Sequence, residues 1–264
     1  AAAQTSHPRS LAIPTVDFAV NATGTLTLLE HLRGLARRPR LVHVSSAKVY
    51  GEKVDDPQRY PVVEGKTAFR YVDQTCRGVN ESCPLGDGTI LTPFGVSKLA
   101  GDLYVQQYAK IYGLDAVVLR PGCFTGTEAL AVEEQNWEPI LVQRLVRKEM
   151  FTVYGWGGKQ VRCVLHVRDL AAAVVRAVEA PVSSVPGDVF NLGGGLANAI
   201  SLLDAIALTE RLVGCSMYMQ VGPHREGDWR IYVGDNTKFS NATGWVPQIG
   251  VEQTFAELVH EARA

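Results

Sequence analysis

Several features that would mark a specialised class of protein are absent from this 264-residue sequence. Its formal net charge is −1, so no excess of positive charge favours nucleic acid or an anionic membrane surface as a partner. No apolar run approaches the roughly 20 residues that cross a bilayer, and the first residues do not resemble a signal peptide. The five cysteines lack the spacing of a metal site, so we expect reduced thiols in a cytoplasmic protein.

The sequence also lacks the glycine-rich turn with which a doubly wound nucleotide-binding sheet normally begins. In such sheets a strand, a G-x-G-x-x-G turn and a helix N-terminus together hold a pyrophosphate. Neither this pattern nor G-x-x-G-x-x-G occurs, and Gly193-Gly194-Gly195 follows a late strand, where it is better interpreted as a strand-to-loop turn. Completing the usual fold would take two further βαβ-sized pieces, on the order of 60–80 residues. Truncation is therefore the simplest interpretation.

Strand and helix patterns alternate along the rest of the chain, which predicts a mostly parallel α/β sheet. Buried strands are predicted at 41–44 and 114–119, and further strands at 151–154 and 189–192. Helices are predicted at 22–36, 94–112, 137–148, 167–179, 201–213 and 255–262. Asn21 is predicted as the N-cap of the first of these helices, and Gly113 as the end of the second. Residues 52–91 are polar and lack periodicity, which indicates a long loop.

One group of residues has the chemistry of a reaction centre. Ser45 and Ser46 end the first predicted strand, while Phe94 and Lys98 lie four residues apart on one helix face. The arrangement resembles the active site of short-chain dehydrogenase/reductases, where a Ser/Thr and a Tyr-x-x-x-Lys pair move a proton and a nicotinamide cofactor moves a hydride. In that family the lysine lowers the phenol pKa from about 10. Phe94 occupies the tyrosine position, and a phenyl ring has no proton to exchange.

Further motifs extend this resemblance over nearly the whole chain. They are Ala2–His7, Asn21 with Gly24-Thr25, Lys48–Gly51, Gly157–Arg162 with Val164–His166, Phe190–Gly194 and Gly244–Pro247. In this order and spacing they resemble the extended short-chain dehydrogenase/reductases that act on nucleotide sugars, most closely the CDP-tyvelose (CDP-paratose) 2-epimerases. The resemblance implies NAD as the cofactor and a nucleotide sugar as the partner.

The same resemblance implies a fold and a division into regions. The fold is an α/β one: a partial Rossmann-type doubly wound parallel sheet, with the first βαβ units absent, and a smaller C-terminal α/β substrate domain. Residues 1–123 form the incomplete NAD-binding region, to which 164–195 return, and residues 124–163 and 196–264 form the nucleotide-sugar-binding region. A homodimer through the helix at 94–112 is also implied by analogy.

Carried over residue by residue, the resemblance implies three sets of site residues. The cofactor contacts are Ala2, Ala3, Asn21, Ser45, Lys98 and Pro121. The catalytic positions are Ser46, Phe94 and Lys98. The substrate contacts are Cys123, Arg162, Arg225 and Asp228. Arg162 matches an arginine that binds the pyrophosphate, a task that suits a planar bidentate donor.

The sequence departs from the 2-epimerases where substrate and chemistry are expected. Besides Phe94, Glu128 stands in place of an arginine, Pro121-Gly122-Cys123 replaces His-Ser-Ser, and Cys163 replaces an aspartate. A small buried thiol is the simpler interpretation of Cys123, with a base or nucleophile as the alternative. Tyr71, on the predicted loop, is the tyrosine that we expect to be best placed to supply another phenol.

Two classes of function remain open at this point. The first is an NAD-dependent nucleotide-sugar epimerase or dehydratase, in which Ser46 binds the reacting hydroxyl, Lys98 holds the ribose, and a water or another side chain acts as the base. The second is a catalytically impaired or inactive relative that binds a nucleotide sugar or another partner. Losing a positioned base typically costs about 10²–10⁴-fold in rate, so we expect at most slow turnover.

Overall fold

The structure, a computed structural model, describes residues 3–127, 136–179 and 187–264. Ala2 and Glu128 lie outside the described residues. Nine α-helices lie within these ranges: α1 (His7–Ala12), α2 (Pro14–Phe18), α3 (Gly24–Gly34), α4 (Pro93–Tyr112), α5 (Trp137–Val146), α6 (Val167–Glu179), α7 (Leu202–Val213), α8 (Thr237–Thr243) and α9 (Val251–Arg263).

Twelve short strands occur in the same ranges. They are β1 (Leu41–Val44), β2 (Val62–Glu64), β3 (Phe69–Tyr71), β4 (Ala116–Pro121), β5 (Phe124–Thr125), β6 (Met150–Tyr154), β7 (Val161–Cys163), β8 (Leu165–His166), β9 (Asp188–Leu192), β10 (Ala199–Ser201), β11 (Tyr218–Gly222) and β12 (Ile231–Tyr232). Three-residue-per-turn helical segments cover Ala47–Asp55, Trp156–Gly158 and Leu196–Asn198, and a π-helical turn covers Ala19–Thr23.

The central sheet is parallel and has the strand order β1-β4-β9 in the described part of the chain. Every residue of β4 is buried, and alternate side chains enter different cores. Val118 packs with Leu29 and Val105, from α3 and α4, on one face. Leu119 packs with the α6 and β9 side chains on the other face. Helices therefore cover both faces, as the sequence pattern predicts for a parallel sheet.

Two further cores complete the described structure. One joins α5, α7 and α9 to β6, around fully buried Leu141 and Phe255. The other gathers the Ala47–Asp55 segment, the β2–β3 hairpin and β12, around Tyr50 and Tyr232. Because the second core links the segment after β1 to the segment before β12, it fixes the distance between the two ends of the site described below.

Helix α4 shows where the sequence pattern was informative. It ends before Gly113, whose φ of +64° is the left-handed conformation that glycine adopts without strain, and this confirms the predicted end. The apolar side chains of α4 do not all face the core, however. Tyr108 is buried, whereas Val96, Leu103 and Ile111 are exposed.

Two predictions about local structure were wrong. Asn21 is not an N-cap, because the π-helical turn Ala19–Thr23 leads directly into α3. The side chain of Asn21 is buried and does not cap the backbone N–H groups of that helix. The region 52–91 is not one structureless loop, because β2 and β3 pair within it as an antiparallel hairpin. Within the described ranges, no helix combines the length and the apolar character that crossing a membrane requires.

Candidate active site

A cavity of about 970 Å³ opens at the carboxyl ends of β1 and β4. Its volume lies at the upper end of the range typical of small-molecule sites, roughly 300–1,000 Å³. The structure brings every described site residue of the sequence analysis to its wall: Ala3, Asn21, Ser45, Ser46, Phe94, Lys98, Pro121, Cys123, Arg162, Arg225 and Asp228. The ligand contacts that the resemblance implies for these residues stay predictions.

We call the wall formed by Ser45, Ser46, Phe94 and Lys98 the reaction end. Ser46 begins the Ala47–Asp55 segment, and its Oγ accepts a hydrogen bond of 3.2 Å from the backbone N–H of Lys48. This contact holds the hydroxyl oxygen in place without using its proton. Ser46 is therefore able to donate to a ligand oxygen in the cavity.

Ser45 is oriented by a buried ion pair behind the reaction end. Its Oγ donates to Asp102 Oδ2 at 2.7 Å, and Asp102 receives Arg120 Nε at 2.8 Å and Nη2 at 3.0 Å. Burial opposes the charge of Asp102, but the bonds from Arg120, Ser45 and Gln106 outweigh it and lower the pKa of this carboxyl. Asp102 therefore stays ionised and fixes the strand-end serine.

Phe94 lies next to the serine turn at the start of α4. The backbone of α4 at Gly95 lies so close to the Ser45–Lys48 turn that a side chain there would be crowded. A Cβ atom added to Gly95 would lie 3.1 Å from Lys48 O. The backbone N–H of Phe94 donates to Ser10 Oγ at 3.1 Å, and its ring is buried. The aromatic ring thus occupies the expected position of the tyrosine but supplies no hydroxyl.

Lys98 lies one helical turn after Phe94 and is also buried. Its Nζ donates to Val44 O at 2.7 Å, which uses one of its three N–H donors. Burial lowers the pKa of Lys98 to about 8, while Asp102 and Asp17 oppose this shift. The lysine therefore carries a positive charge at neutral pH and has donors left for a ligand.

Among the described residues, no tyrosine hydroxyl replaces the missing one. Tyr71 lies in β3 and is buried, with its ring centroid 6.3 Å from that of Tyr60. It does not line the cavity, so the expectation that it reaches the site is wrong. Tyr50 does not line the cavity, and its hydroxyl donates to Asn191 Oδ1 at 2.7 Å. Tyr154 does line the cavity, but its ring contacts Arg225.

Charged side chains dominate another part of the cavity wall, which we call the nucleotide end after the ligand that the resemblance implies. Arg162, on β7, donates to Asp228 Oδ1 and, at 2.9 Å, to Trp229 O. The guanidinium of Arg225 lies 3.7 Å from the centroid of the Tyr154 ring. Burial opposes ionisation of Asp228, but Arg162 and then Lys48 outweigh it and lower the pKa of this carboxyl.

Lys48 belongs to the nucleotide end although the sequence analysis gave it no role. Its Nζ donates to Gly227 O at 2.9 Å and lies 3.8 Å from the centroid of the Trp229 ring. Burial lowers the pKa of Lys48 to about 8, so the ammonium persists at neutral pH. With Arg162 and Arg225 it gives three cations against the one carboxylate of Asp228, a net charge of two positive that suits a diphosphate.

Two further residues line the cavity: His7, which the sequence analysis placed in the motif Ala2–His7 without a site role, and Glu138, which it did not single out. Burial, followed by the charge of Lys48, lowers the pKa of His7 to about 4, so its imidazole is neutral. Glu138 is fully buried in the first turn of α5. The sequence signal that could have identified Glu138 as a site residue is its position as the one acidic residue in the otherwise apolar segment Trp137–Val142.

Asn21 makes structural contacts and Cys123 has a neutral thiol, while the predicted ligand contacts of both residues stay predictions. Asn21 Oδ1 accepts from Gln4 N–H at 3.0 Å, and its Nδ2 lies 3.1 Å from Ser97 Oγ, so it ties the N-terminal segment to α4. Burial raises the pKa of Cys123 to about 12, which keeps its thiol neutral and agrees with the simpler interpretation of this residue. Cys163 Sγ accepts from Gly234 N–H at 3.2 Å.

Comparison with known proteins identifies the family of this site. The profile of the NAD-dependent epimerase/dehydratase family matches residues 1–193. The chain belongs to this family. It is 35% identical over 256 residues to CDP-paratose 2-epimerase of Salmonella typhi, covering 95% of this chain and 73% of that protein. UDP-glucose 4-epimerase of Mycolicibacterium smegmatis is 30% identical over 260 residues, covering 98% and 73%.

Solved structures of epimerases share the fold. UDP-glucose 4-epimerase of Thermotoga maritima with UDP-glucose matches with a TM-score of 0.82 and 25% identity, covering 100% of this chain and 75% of that one. UDP-glucose 4-epimerase of Thermus thermophilus in complex with NAD matches with a TM-score of 0.80 and 26% identity, covering 99% and 76%. The predicted family and the Rossmann-type α/β fold are therefore confirmed.

Proposed function

We propose that this family member binds a nucleotide sugar in the cavity and has an NAD-dependent epimerase-type reaction centre whose tyrosine is replaced by Phe94. The observation that carries the proposal is the shared cavity. Its nucleotide end has the charge that a diphosphate needs, and its reaction end holds Ser46 and Lys98 in fixed positions. A sugar attached to the diphosphate would extend from one end towards the other.

The choice of substrate follows the relatives. The 35% identity to CDP-paratose 2-epimerase favours a CDP-linked hexose, with the hydride leaving and returning at C2. The 30% identity to a UDP-glucose 4-epimerase keeps a UDP-linked hexose as the alternative. Both substrates contain the diphosphate for which Arg162 and Lys48 are suited.

The described residues fit the nicotinamide half of NAD. Lys98 has unused N–H donors at the cavity, and His43 Nε2, on the adjoining strand β1, is a buried polar atom without a hydrogen-bond partner among the described residues. Lys98, Ser45 and Pro121 would hold this half of the cofactor. NAD supplies hydride acceptance and return when it is bound.

The side chains of the reaction end account for binding better than for proton transfer. Ser46 is placed to hydrogen-bond the reacting hydroxyl, and the Lys98 charge favours an oxygen that is losing its proton. Phe94 neither accepts nor donates that proton. We therefore expect turnover about 10²–10⁴-fold below that of a site with a positioned base.

A second candidate function is binding of the nucleotide sugar without turnover. The absence of any tyrosine hydroxyl at Ser46, among the residues that the structure describes, favours it. Calorimetric titration with CDP-paratose, UDP-glucose and free glucose tests the common part of both candidates. Binding of a nucleotide sugar but not of free glucose supports the proposal, and failure to bind either nucleotide sugar refutes it. Product analysis with added NAD then separates slow turnover from binding alone.

We also propose that the family-like homodimer forms through α4. Its exposed apolar side chains, Val96, Leu103 and Ile111, offer a surface for a second copy. Sedimentation velocity of the unmodified chain and of Ile111→Asp checks this. A dimer that dissociates on substitution is expected, whereas a chain that is monomeric at all concentrations contradicts the proposal.

A further inference from the structure

Glu138 is a buried residue of the cavity wall, and one of its carboxyl oxygens lacks a hydrogen-bond partner among the described residues. It is the second residue of α5 and is 1% exposed. Its Oε1 has no hydrogen-bond partner among the described residues, although the residue lines the cavity wall. Buried polar atoms in proteins are nearly always hydrogen-bonded, so this oxygen requires an explanation.

The cation that influences Glu138 is already engaged elsewhere. Arg162 donates Nη1 to Val161 O at 2.7 Å, and Nη2 to Asp228 Oδ1 and Trp229 O. Burial raises the pKa of Glu138 to about 8, and its own backbone N–H and then Arg162 oppose this shift without cancelling it. Because this pKa lies above 7 and no cation among the described residues is paired with Glu138, its carboxyl is mostly neutral at pH 7.

A neutral carboxyl differs from a carboxylate in what it can bind. It has one O–H donor, whereas a carboxylate only accepts. The neighbouring Cys123 thiol is also neutral and supplies no anionic acceptor. The O–H therefore points to a ligand oxygen as its acceptor.

We propose that Glu138 is a substrate contact whose neutral carboxyl donates a hydrogen bond to an acceptor oxygen of the nucleotide sugar. That oxygen belongs to a sugar hydroxyl or to the diphosphate. The inference rests on the proposed function, because it requires a nucleotide sugar in the cavity. It adds a specificity-determining residue that the family resemblance did not indicate.

The test compares two substitutions with a matched surface control. Glu138→Met keeps the length of the side chain but removes the donor, and Glu138→Gln keeps a donor without a proton that titrates. Glu252→Gln, on the exposed start of α9, makes the same chemical change at a surface ion pair with Arg211. Thermal melting and circular dichroism verify the fold of each variant.

Calorimetry at pH 7 measures affinity for CDP-paratose and UDP-glucose, and for CDP and UDP. Glu138→Met is expected to weaken binding of the preferred nucleotide sugar about 5–100-fold, because one ligand oxygen loses its donor. Glu138→Gln should stay within about 3-fold of the wild type, as should the Glu252→Gln control. A loss confined to the nucleotide sugar assigns the bond to a sugar hydroxyl, and an equal loss for the nucleoside diphosphate assigns it to the diphosphate.

A pH series from 7 to 9 provides a second readout that does not depend on Glu138→Met folding. Above pH 8 ionisation of Glu138 removes the donor, so wild-type affinity should fall more steeply than that of Glu138→Gln. The nearby groups that carry a charge or could titrate are the Arg162 guanidinium, the neutral Cys123 thiol and, further along the wall, the Lys48 ammonium. Because they are common to both proteins, the difference between the two curves reports on Glu138.

The outcomes separate this inference from the proposed function. Wild-type binding with an unchanged affinity in Glu138→Met, or with identical pH curves for wild type and Glu138→Gln, overturns the role of Glu138 alone. Failure of the wild type to bind any nucleotide sugar overturns the proposed function, and this inference with it.

Discussion

The two ends of the cavity differ in how their chemistry is built. At the nucleotide end, the proposed binding of a diphosphate depends on net charge, which is distributed over Lys48, Arg162 and Arg225 and is partly balanced by Asp228. At the reaction end, the proposed proton transfer depends on one hydroxyl at a single position, and Phe94 does not have that hydroxyl. A distributed charge tolerates change, whereas a single proton carrier does not.

The comparison also separates positioning from chemistry. The buried Asp102–Arg120 pair still holds Ser45, and Val44 O still anchors Lys98, although the tyrosine is absent. These contacts belong to the packing of α4 against β1 and β4, so they stabilise the fold whether or not a proton is transferred. An intact scaffold around the site is therefore no measure of its activity.

The largest effect on stability is expected from Asp102→Asn. Removing the carboxylate leaves the Arg120 guanidinium buried without a counter-charge, which typically costs about 3–5 kcal/mol. Because the pKa of Asp102 is lowered in the folded state, its contribution is present above the unfolded-state pKa and is lost as pH falls. Urea unfolding at pH 7 and at pH 3 should show a smaller difference at pH 3. Glu252→Gln, the surface control, should change stability by about 0–1 kcal/mol. A similarly small change in Asp102→Asn would contradict this account of the reaction end.

Arg162→Met should have the largest effect on binding at the nucleotide end. It removes a charged donor and leaves the Asp228 carboxylate facing the diphosphate, so we expect about 10–100-fold weaker binding of the nucleotide sugar. Calorimetry with CDP-paratose and UDP-glucose measures this loss. Arg162→Lys, which keeps the charge but loses the fork geometry, should recover part of it. Equal affinity in the wild type and Arg162→Met would show that the diphosphate binds elsewhere.

Lys48→Met should reveal a pH effect in the same end of the cavity. The pKa of Lys48 is lowered to about 8 by burial, so its charge is present below this value and is lost as pH rises through it. We expect wild-type affinity to fall roughly 10-fold from pH 7 to pH 9, a loss of about one charge-assisted bond. Lys48→Met should bind more weakly at pH 7 and depend less on pH. Parallel pH curves would contradict the placement of this charge.

Cys123→Ser is expected to change little. The pKa of the thiol is raised to about 12, so at pH 7–8 it is not a thiolate and cannot act as a strong nucleophile. Nucleotide-sugar affinity and any turnover should stay within about 3-fold of the wild type. Rapid alkylation of Cys123 by iodoacetamide at pH 7, followed by mass spectrometry, would contradict a neutral thiol.

The sequence was most informative where a local signal and the tertiary structure agree. Helix α4 has a proline at its start and Gly113 after its end, and both signals act within one turn of the chain. The resemblance to the short-chain dehydrogenase/reductase active site implies that Ser46, Phe94 and Lys98 share one site, and all three line the same cavity.

Other features depend on partners that are distant in the sequence. Asn21 bonds Ser97, 76 positions away, which no helix-start pattern contains. Strands β2 and β3 are three residues long, too short for an alternating pattern to be distinguished from a loop. Lys48 and Glu138 are identified as site residues only by the three-dimensional structure, in which both line the same cavity. The predicted domain boundaries stay a prediction.

The most direct test of the central claim is the rate of product formation with added NAD by the wild type and by Phe94→Tyr. Calorimetry first establishes that both proteins bind CDP-paratose or UDP-glucose with similar affinity. If Phe94 alone limits proton transfer, the substitution should raise the rate about 10²–10⁴-fold. Equal rates in the two proteins, whether measurable or absent, would contradict the claim that this centre lacks only a phenol.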